Sequence, residues 1–221
     1  REYILPDLDP GVRAGLDRTR ATIERLGGVV REVSLPHTRF AVPCYYIVAP
    51  AEAAANLARY DGVRYGQRRV GPEGDVRALY RATRGQGFGA EVRRRILTGT
   101  YVLSSGYYDA YYRKAQQVRA LLAEDFRRVF AQGVDFLLTP TTPTVAFKAG
   151  EKTEDPVAMY LADIFTCSLN LAALPAMSLP VARSNGLPVG AQLVAPMFGE
   201  AAMLSVAAAI EAATDATLEA R

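Results

Sequence analysis

The chain has 221 residues, of which 50% are hydrophobic and 22% charged, and its 26 basic and 23 acidic residues give a net charge of +3. These proportions are typical of a soluble globular protein of one or two domains, and they exclude disordered, collagen-like and coiled-coil chains. The charge is too balanced to indicate a nucleic-acid-binding protein. Cys44 and Cys167 lie far apart without a Cys/His cluster, which excludes a disulfide scaffold and a zinc site.

The first residues and the hydropathy pattern indicate where in the cell the protein is expected. No run approaches the roughly 20 apolar residues that a membrane span needs. The first residues, Arg1-Glu2-Tyr3, contain neither a methionine nor an apolar signal segment. We therefore expect a cytoplasmic protein with reduced cysteines, whose chain does not begin where its gene begins.

Two aspartate-proline pairs, Asp9-Pro10 and Asp155-Pro156, have the form of a helix N-cap followed by proline in the first turn. After the first pair, apolar residues recur at helical spacing until Gly27-Gly28, which predicts a helix. The next segment, Val29–Leu35, is rich in β-branched residues and predicts a strand.

The remaining sequence alternates between helical and strand patterns. Helices are predicted at Phe40–Arg59, interrupted or kinked by its two prolines, and at Glu91–Leu97, Tyr107–Phe130 and Glu200–Ala213, with a loose Gly/Arg-rich stretch at Asp61–Gly89. Strands are predicted at Val134–Thr139, Ala176–Val181 and Val189–Pro196, the last two joined by a hairpin at Asn185-Gly186. This order predicts a single α/β body, a mixed sheet covered by helices, without a separable linker.

The residues by themselves indicate little catalytic chemistry. The only histidine, His37, would need an orienting acid and a nucleophile that the sequence cannot locate, so a surface or capping role is favoured. None of the three lysines follows a serine at the spacing of a Ser-Lys enzyme, and no phosphate-binding glycine motif is present. The sequence therefore predicts no catalytic residue, no metal site and no bound cofactor in this chain.

Three sequence clusters are more specific. They are Pro43-Cys44-Tyr45-Tyr46 leading into residues 51–62, residues 87–100 followed by 104–112, and residues 159–163 continuing through 170–176. Together they resemble the amidase-signature family, and within it the A subunits of the tRNA-dependent amidotransferases, over nearly the whole chain. The runs Ala-Arg-Tyr-Asp-Gly-Val-Arg-Tyr-Gly (58–66) and Ser-Ser-Gly-Tyr-Tyr-Asp-Ala-Tyr-Tyr (104–112) are specific to those subunits.

The resemblance implies an amidase-signature α/β fold with a Ser–cis-Ser–Lys triad on a glycine- and serine-rich segment of its N-terminal half. No such segment occurs here. Residues 1–221 are therefore expected to be the C-terminal part of the domain, without catalytic residues. We expect this incomplete domain to self-associate.

The resemblance also implies a glutamine pocket lined by Tyr45, Arg95 and Asp163. The chemistry suits these residues, because an arginine grips a carboxylate, an aspartate pairs with an ammonium group, and a tyrosine can both wall a pocket and hydrogen-bond. Simpler interpretations remain. Residues 93–95 could form a solvated arginine face, Asp163 could cap a helix or form a salt bridge, and Tyr46 could replace Tyr45.

The function implied is that of a glutamine amidase that donates ammonia for converting Glu-tRNA(Gln) to Gln-tRNA(Gln) or Asp-tRNA(Asn) to Asn-tRNA(Asn). The resemblance places ATP, Mg and most tRNA contacts on the B and C subunits, its partners in the complex. Two alternatives are a stand-alone amidase-signature hydrolase of small amides and a non-catalytic interaction fragment.

Overall fold

The computed structural model describes residues 1–71, 74–151, 159 and 161–214. The described chain forms two compact units. The sheet unit contains Arg1–Val42 and the residues from Arg119 onward, and the helical unit contains Pro43–Val118. The chain leaves the sheet unit after Val42 and returns to it at Arg119.

The described elements comprise helices and three strands. The α-helices are α1 (Pro10–Arg25), α2 (Ala41–Leu57), α3 (Val76–Gly87), α4 (Ala90–Val102), α5 (Lys114–Ala131), α6 (Cys167–Ala172) and α7 (Glu200–Ala213). A 3₁₀ turn at Pro36–Phe40 precedes α2, and a π-helical turn at Tyr108–Arg113 precedes α5. The strands are β1 (Leu137–Pro140), β2 (Ala176–Ser184) and β3 (Leu187–Val194). The mixed α/β fold class is thus confirmed.

The strands form one antiparallel sheet in the order β1-β3-β2. The hairpin between β2 and β3 turns at Asn185 and Gly186, whose φ angles of 52° and 80° are those that an Asn-Gly turn favours. The helix α1 packs on β2 and β3, and α7 packs on β2. A buried apolar cluster between these layers forms the core of the sheet unit.

Local signals correctly predicted several boundaries. The Asp9 carboxylate caps α1 by accepting hydrogen bonds from the backbone N–H groups of Gly11 and Val12, and α7 spans the predicted residues. The predicted Phe40–Arg59 helix is α2, which runs through Pro50. The helix predicted from Asp155-Pro156 lies outside the described residues.

Two predictions were wrong. Val29–Leu35 has no regular secondary structure, and it does not pair with any of the three described strands. The carbonyl of Val33 accepts from the amino group of Arg1, and the N–H of Leu35 donates to the Glu2 carboxylate. The stretch predicted to be loose contains α3, whose N-cap is Asp75.

Cys44 and Cys167 are both buried and are not joined by a disulfide, and their reduced state stays a prediction. In the part of the chain that the structure describes, no helix has the length and apolar character needed to span a membrane.

Candidate functional site

Tyr45 lies in the first turns of α2. The Cys44 thiol beside it is buried and donates a hydrogen bond to the carbonyl of Ala115, so that side of α2 faces the interior of the helical unit. The rings of Tyr45 and Tyr46 meet edge to face at 5.3 Å, and both residues are half-buried. Each tyrosine thus keeps an exposed portion that could contact a ligand, and the choice between them stays open.

Arg95 lies in α4, with 53% of its side chain exposed. Its Nε donates to Oε1 of Glu91 at 3.2 Å, while Arg94 donates to the other oxygen of the same carboxylate at 2.7 Å. The third arginine, Arg93, donates to the carbonyl of Gly85. An exposed pair at i and i+4 contributes only about 0.3–0.5 kcal/mol. Arg95 could therefore exchange Glu91 for a substrate carboxylate at little cost.

Asp163 lies in the turn before α6 and is exposed. Its backbone carbonyl accepts hydrogen bonds from the N–H groups of Thr166 and Cys167, so the main chain begins α6 while the carboxylate stays at the surface. Burial raises the pKa of the Cys167 thiol to about 11, and the negative charge of Asp163 adds to this effect. The thiol is consequently protonated at neutral pH and is not a nucleophile there.

The turn that contains Asp163 is stabilised by buried hydrogen bonds. The sequence did not reveal these bonds. Gln192 in β3 is buried, and its Nε2 donates to the carbonyl of Phe165 at 3.2 Å and to Oγ1 of Thr139 at 3.1 Å. The hydroxyl groups of Tyr3 and Ser168 are also hydrogen-bonded to each other. Buried polar groups need such partners, and these partners connect the turn to the sheet.

The three residues of the predicted pocket are divided between the two units. Tyr45 and Arg95 belong to the helical unit, whereas Asp163 belongs to the sheet unit. The structure describes each unit by itself, so a pocket formed by all three residues stays a prediction.

His37 has the orienting acid that the sequence could not locate. Its Nδ1 lies 2.9 Å from Oδ1 of Asp125, and its backbone N–H donates to Oδ2 of the same carboxylate at 2.8 Å. Asp125 is only 2% exposed. A weak signal was present in the sequence, since Asp125 is the charged residue between Leu122, Phe126 and Val129 on the apolar face of α5. Asp125, rather than His37, thus acts as the capping residue, and the side chain of His37 is 30% exposed.

The tyrosine doublets stack as their spacing predicts. Tyr107 and Tyr111 lie 5.9 Å apart between ring centroids, and Tyr108 and Tyr112 lie 5.2 Å apart. The ring of Tyr101 extends the Tyr107–Tyr111 pair, with its centroid 4.3 Å from that of Tyr107. A hydrogen bond to Tyr107 raises the pKa of Tyr101 to about 12. Tyr101, Tyr107, Tyr108 and Tyr111 are exposed, so this group of rings is not part of a buried core.

Within 1–71, 74–151, 159 and 161–214, no three His, Cys, Asp or Glu side chains are grouped so that they could hold a metal ion.

Comparison with known proteins shows high sequence identity to one group. The chain is 56% identical over 215 residues to the A subunit of the glutamyl-tRNA(Gln) amidotransferase of Carboxydothermus hydrogenoformans, and 54% identical over 215 residues to that of Saccharophagus degradans. Each alignment covers 97% of this chain but 44% of the relative. The chain thus spans less than half the length of these curated relatives.

Solved structures agree on the fold. The crystal structure of the glutamyl-tRNA(Gln) amidotransferase A subunit from Thermotoga maritima is 39% identical, with a TM-score of 0.70 over 96% of this chain and 40% of that one. A 6-aminohexanoate cyclic dimer hydrolase has the same TM-score over 94% of this chain and 42% of that one, at 20% identity, and shows only that the fold is shared. The family model described as Amidase matches residues 1–204. The chain therefore belongs to the amidase family.

Proposed function

We propose that this chain is part of the glutamine-hydrolysing subunit of a tRNA-dependent amidotransferase. The observation that carries the proposal is the identity of 52–56% to amidotransferase A subunits along 97% of the chain. Fold similarity does not distinguish an amidotransferase subunit from another hydrolase of this fold, because the 6-aminohexanoate cyclic dimer hydrolase and the Thermotoga maritima protein have equal TM-scores. Sequence identity does discriminate, since it is 39% for the Thermotoga maritima protein and 20% for the hydrolase.

In the proposed reaction, the complete subunit hydrolyses the side-chain amide of glutamine to glutamate and ammonia. A partner subunit phosphorylates the carboxylate of Glu-tRNA(Gln) with ATP, and ammonia displaces the phosphate to give Gln-tRNA(Gln). Asp-tRNA(Asn) can take part in the same chemistry. The overall reaction is that of a carbon–nitrogen ligase with glutamine as its amide donor.

The pocket residues have defined roles in this proposal. Arg95 binds the α-carboxylate of glutamine in place of Glu91, Asp163 pairs with the α-ammonium group, and Tyr45 forms a wall with its ring and hydroxyl. Binding both ends of the amino acid positions its amide for attack and selects glutamine over simple amides.

The partners follow from the same proposal. We assign ATP and Mg²⁺ to the partner B and C subunits, which also make most of the tRNA contacts, and we place the complex in the cytoplasm. Stable co-purification with those subunits would support this assignment over a stand-alone amidase, whereas full amidase activity without them would favour the alternative.

The pocket is tested in the complete amidotransferase with Arg95→Ala and Asp163→Ala. We expect each variant to raise the KM for glutamine at least about tenfold, which corresponds to about 1.4 kcal/mol of binding free energy. Amidation driven by ammonium chloride should be retained, because free ammonia bypasses the pocket.

Arg94→Ala is the matched control, since Arg94 contacts the same Glu91 carboxylate from the adjacent position. It should leave the KM for glutamine within about twofold of the wild type. If Arg95→Ala and Asp163→Ala use glutamine normally, the assignment of the pocket is wrong.

The isolated 221-residue chain should release no ammonia from glutamine. Pocket residues without a nucleophile cannot form an acyl-enzyme, and the sequence contains no Ser-Ser-Lys segment. The measurement is ammonia release above a heat-inactivated control, and any reproducible release would contradict the expectation.

A further inference from the structure

The contact between His37 and Asp125 joins two segments of the sheet unit that are 88 residues apart in sequence. Both carboxylate oxygens are used, one by the backbone N–H of His37 and one by its imidazole ring. Asp125 is buried, whereas 30% of the His37 side chain is exposed. The carboxylate thus holds a single residue at two points, which fixes both its main chain and its ring.

The acceptor chemistry of a carboxylate indicates which ring nitrogen of His37 carries the proton. An ionised carboxylate can only accept hydrogen bonds, so Nδ1 of His37 must be the donor. In the neutral ring, Nε2 then carries the lone pair. A buried carboxylate that loses such a donor keeps an unsatisfied charge, which is strongly unfavourable. The contact therefore strongly favours one conformation of His37.

His37 occupies the second position of the 3₁₀ turn Pro36–Phe40. The first N–H groups of a helix have no partner within the helix, and Asp125 supplies one for His37. The turn continues directly into α2, which begins at Ala41, and Tyr45 follows one helical turn later. Whatever fixes this turn also fixes the start of the helix that carries Tyr45.

We propose that His37 and Asp125 are positioning residues for the glutamine pocket, acting by fixing the start of α2 and thereby Tyr45. This inference rests on the proposed function, because it requires that Tyr45 contacts glutamine. Without the contact, the start of α2 samples several conformations, and the apparent affinity for glutamine falls with the fraction that is competent to bind.

Three substitutions at His37 distinguish the roles of the two ring nitrogens. His37→Asn places an amide N–H where Nδ1 stands, two bonds beyond Cβ, and should preserve the contact with Asp125. His37→Gln places its amide at the position of Nε2, and His37→Leu has no donor. In the complete amidotransferase, we expect the Gln and Leu variants to raise the KM for glutamine about three- to tenfold, with kcat and ammonium-driven amidation retained. The Asn variant should stay close to the wild type.

Tyr45→Ala is measured beside them as the reference for the pocket. A normal KM in Tyr45→Ala overturns the proposed role of Tyr45 and this inference with it. A raised KM in Tyr45→Ala together with normal values in the Gln and Leu variants overturns the inference alone. An equal loss of glutamine-driven and ammonium-driven activity in the Gln variant shows a purely structural role, which also overturns it.

Hydrogen exchange supplies a readout that does not depend on activity. The backbone amides of residues 41, 42 and 44–46 should exchange faster in the Gln variant than in the Asn variant of the complex, provided that the two variants have similar melting temperatures. Equal exchange in the two variants contradicts the proposal. Activity lost in the Asn variant but kept in the Gln variant would instead identify Nε2 as the functional atom and would also overturn it.

Discussion

The sheet unit and the helical unit are built differently. In the sheet unit, α1 and α7 cover an antiparallel sheet, and large side chains such as Phe126, Phe165 and Ile210 are fully buried. The buried apolar cluster consists of sheet-unit residues. In the helical unit, many of the buried apolar residues are small, while several tyrosines are exposed. The small buried residues include Cys44, Ala51, Ala78 and Ala115.

This difference indicates where the stability of the chain resides. Burial stabilises in proportion to the apolar area removed from water, so large side chains against a sheet contribute more than alanines between helices. We expect the helical unit to open locally at a lower free energy than the sheet unit. A less stable helical unit would suit the proposed role of Arg95, which has to exchange Glu91 for a ligand carboxylate.

The largest expected effect is in the helical unit, at Gly99 of α4. A Cβ atom at this position would lie 1.9 Å from the carbonyl oxygen of Pro50 and 2.8 Å from Cβ of Ala54, both in α2. The oxygen belongs to the backbone of a helix and cannot move aside. Gly99→Ala should therefore separate α4 from α2 and destabilise the helical unit by about 1–3 kcal/mol.

The measurement is hydrogen exchange of α2 and α4 beside that of β3. Exchange should accelerate in the two helices and change little in the strand if the helical unit opens independently. Gly85→Ala in α3 is the control, because a Cβ there meets no atom within 4 Å. It should stabilise α3 by about 0.5–1 kcal/mol. Unchanged hydrogen exchange of α2 and α4 in Gly99→Ala would contradict the close crossing of these two helices.

A matched pair of N-caps compares the units directly. Asp9 caps α1 through bonds of 2.8 and 3.2 Å to the N–H groups of Gly11 and Val12, and Asp75 caps α3 through a bond of 2.6 Å to that of Ala78. Replacing either aspartate by alanine should cost about 1 kcal/mol.

The loss of stability should be detected by a different measurement in each unit. Asp9→Ala should lower the free energy of global unfolding, because α1 covers the sheet. Asp75→Ala should mainly accelerate exchange within α3. Urea denaturation combined with hydrogen exchange measures both quantities, and Asp17→Ala, at an exposed position of α1, is the control. Equal global effects of the two cap variants would show that the units unfold together.

The smallest effect is a pH dependence in the sheet unit, at Glu2. Burial raises the pKa of its carboxyl group, but hydrogen bonds from the N–H of Leu35 and the hydroxyl of Ser34 outweigh burial and lower the pKa from 4.5 to about 2. The ionised form is thus favoured in the folded state, so its stabilisation is present above pH 4.5 and is lost as the pH falls towards 2.

Glu2→Gln removes this titrating group. The wild type should be more stable than the variant at about pH 6, and the difference should shrink between pH 4.5 and 2. Urea midpoints at several pH values measure it. A difference that stays constant over this range would mean that the carboxyl group of Glu2 has the same pKa in the folded and unfolded chains.

Local sequence rules worked where the structure depends on neighbouring residues. Asp9-Pro10 and Asn185-Gly186 acted as a cap and a turn because their side chains and φ preferences operate within a few residues. The same rules failed at Val29–Leu35, since a strand requires a neighbour that β-branched composition cannot supply. The helix α3 was missed although Asp75 carries a cap signal, because arginines and glycines obscured its apolar spacing.

Local patterns and family resemblance were sufficient to predict the family, the α/β class, most helices and the β2–β3 hairpin, and the resemblance named Tyr45, Arg95 and Asp163 as pocket residues. Three features became visible only in the folded chain: Asp125 orients His37, Gln192 hydrogen-bonds to the turn of Asp163, and Gly99 lets α4 cross α2. The physical reason is separation along the chain. A hydrogen bond across 88 residues, or a helix crossing, depends on how distant segments pack, and no local pattern encodes that packing.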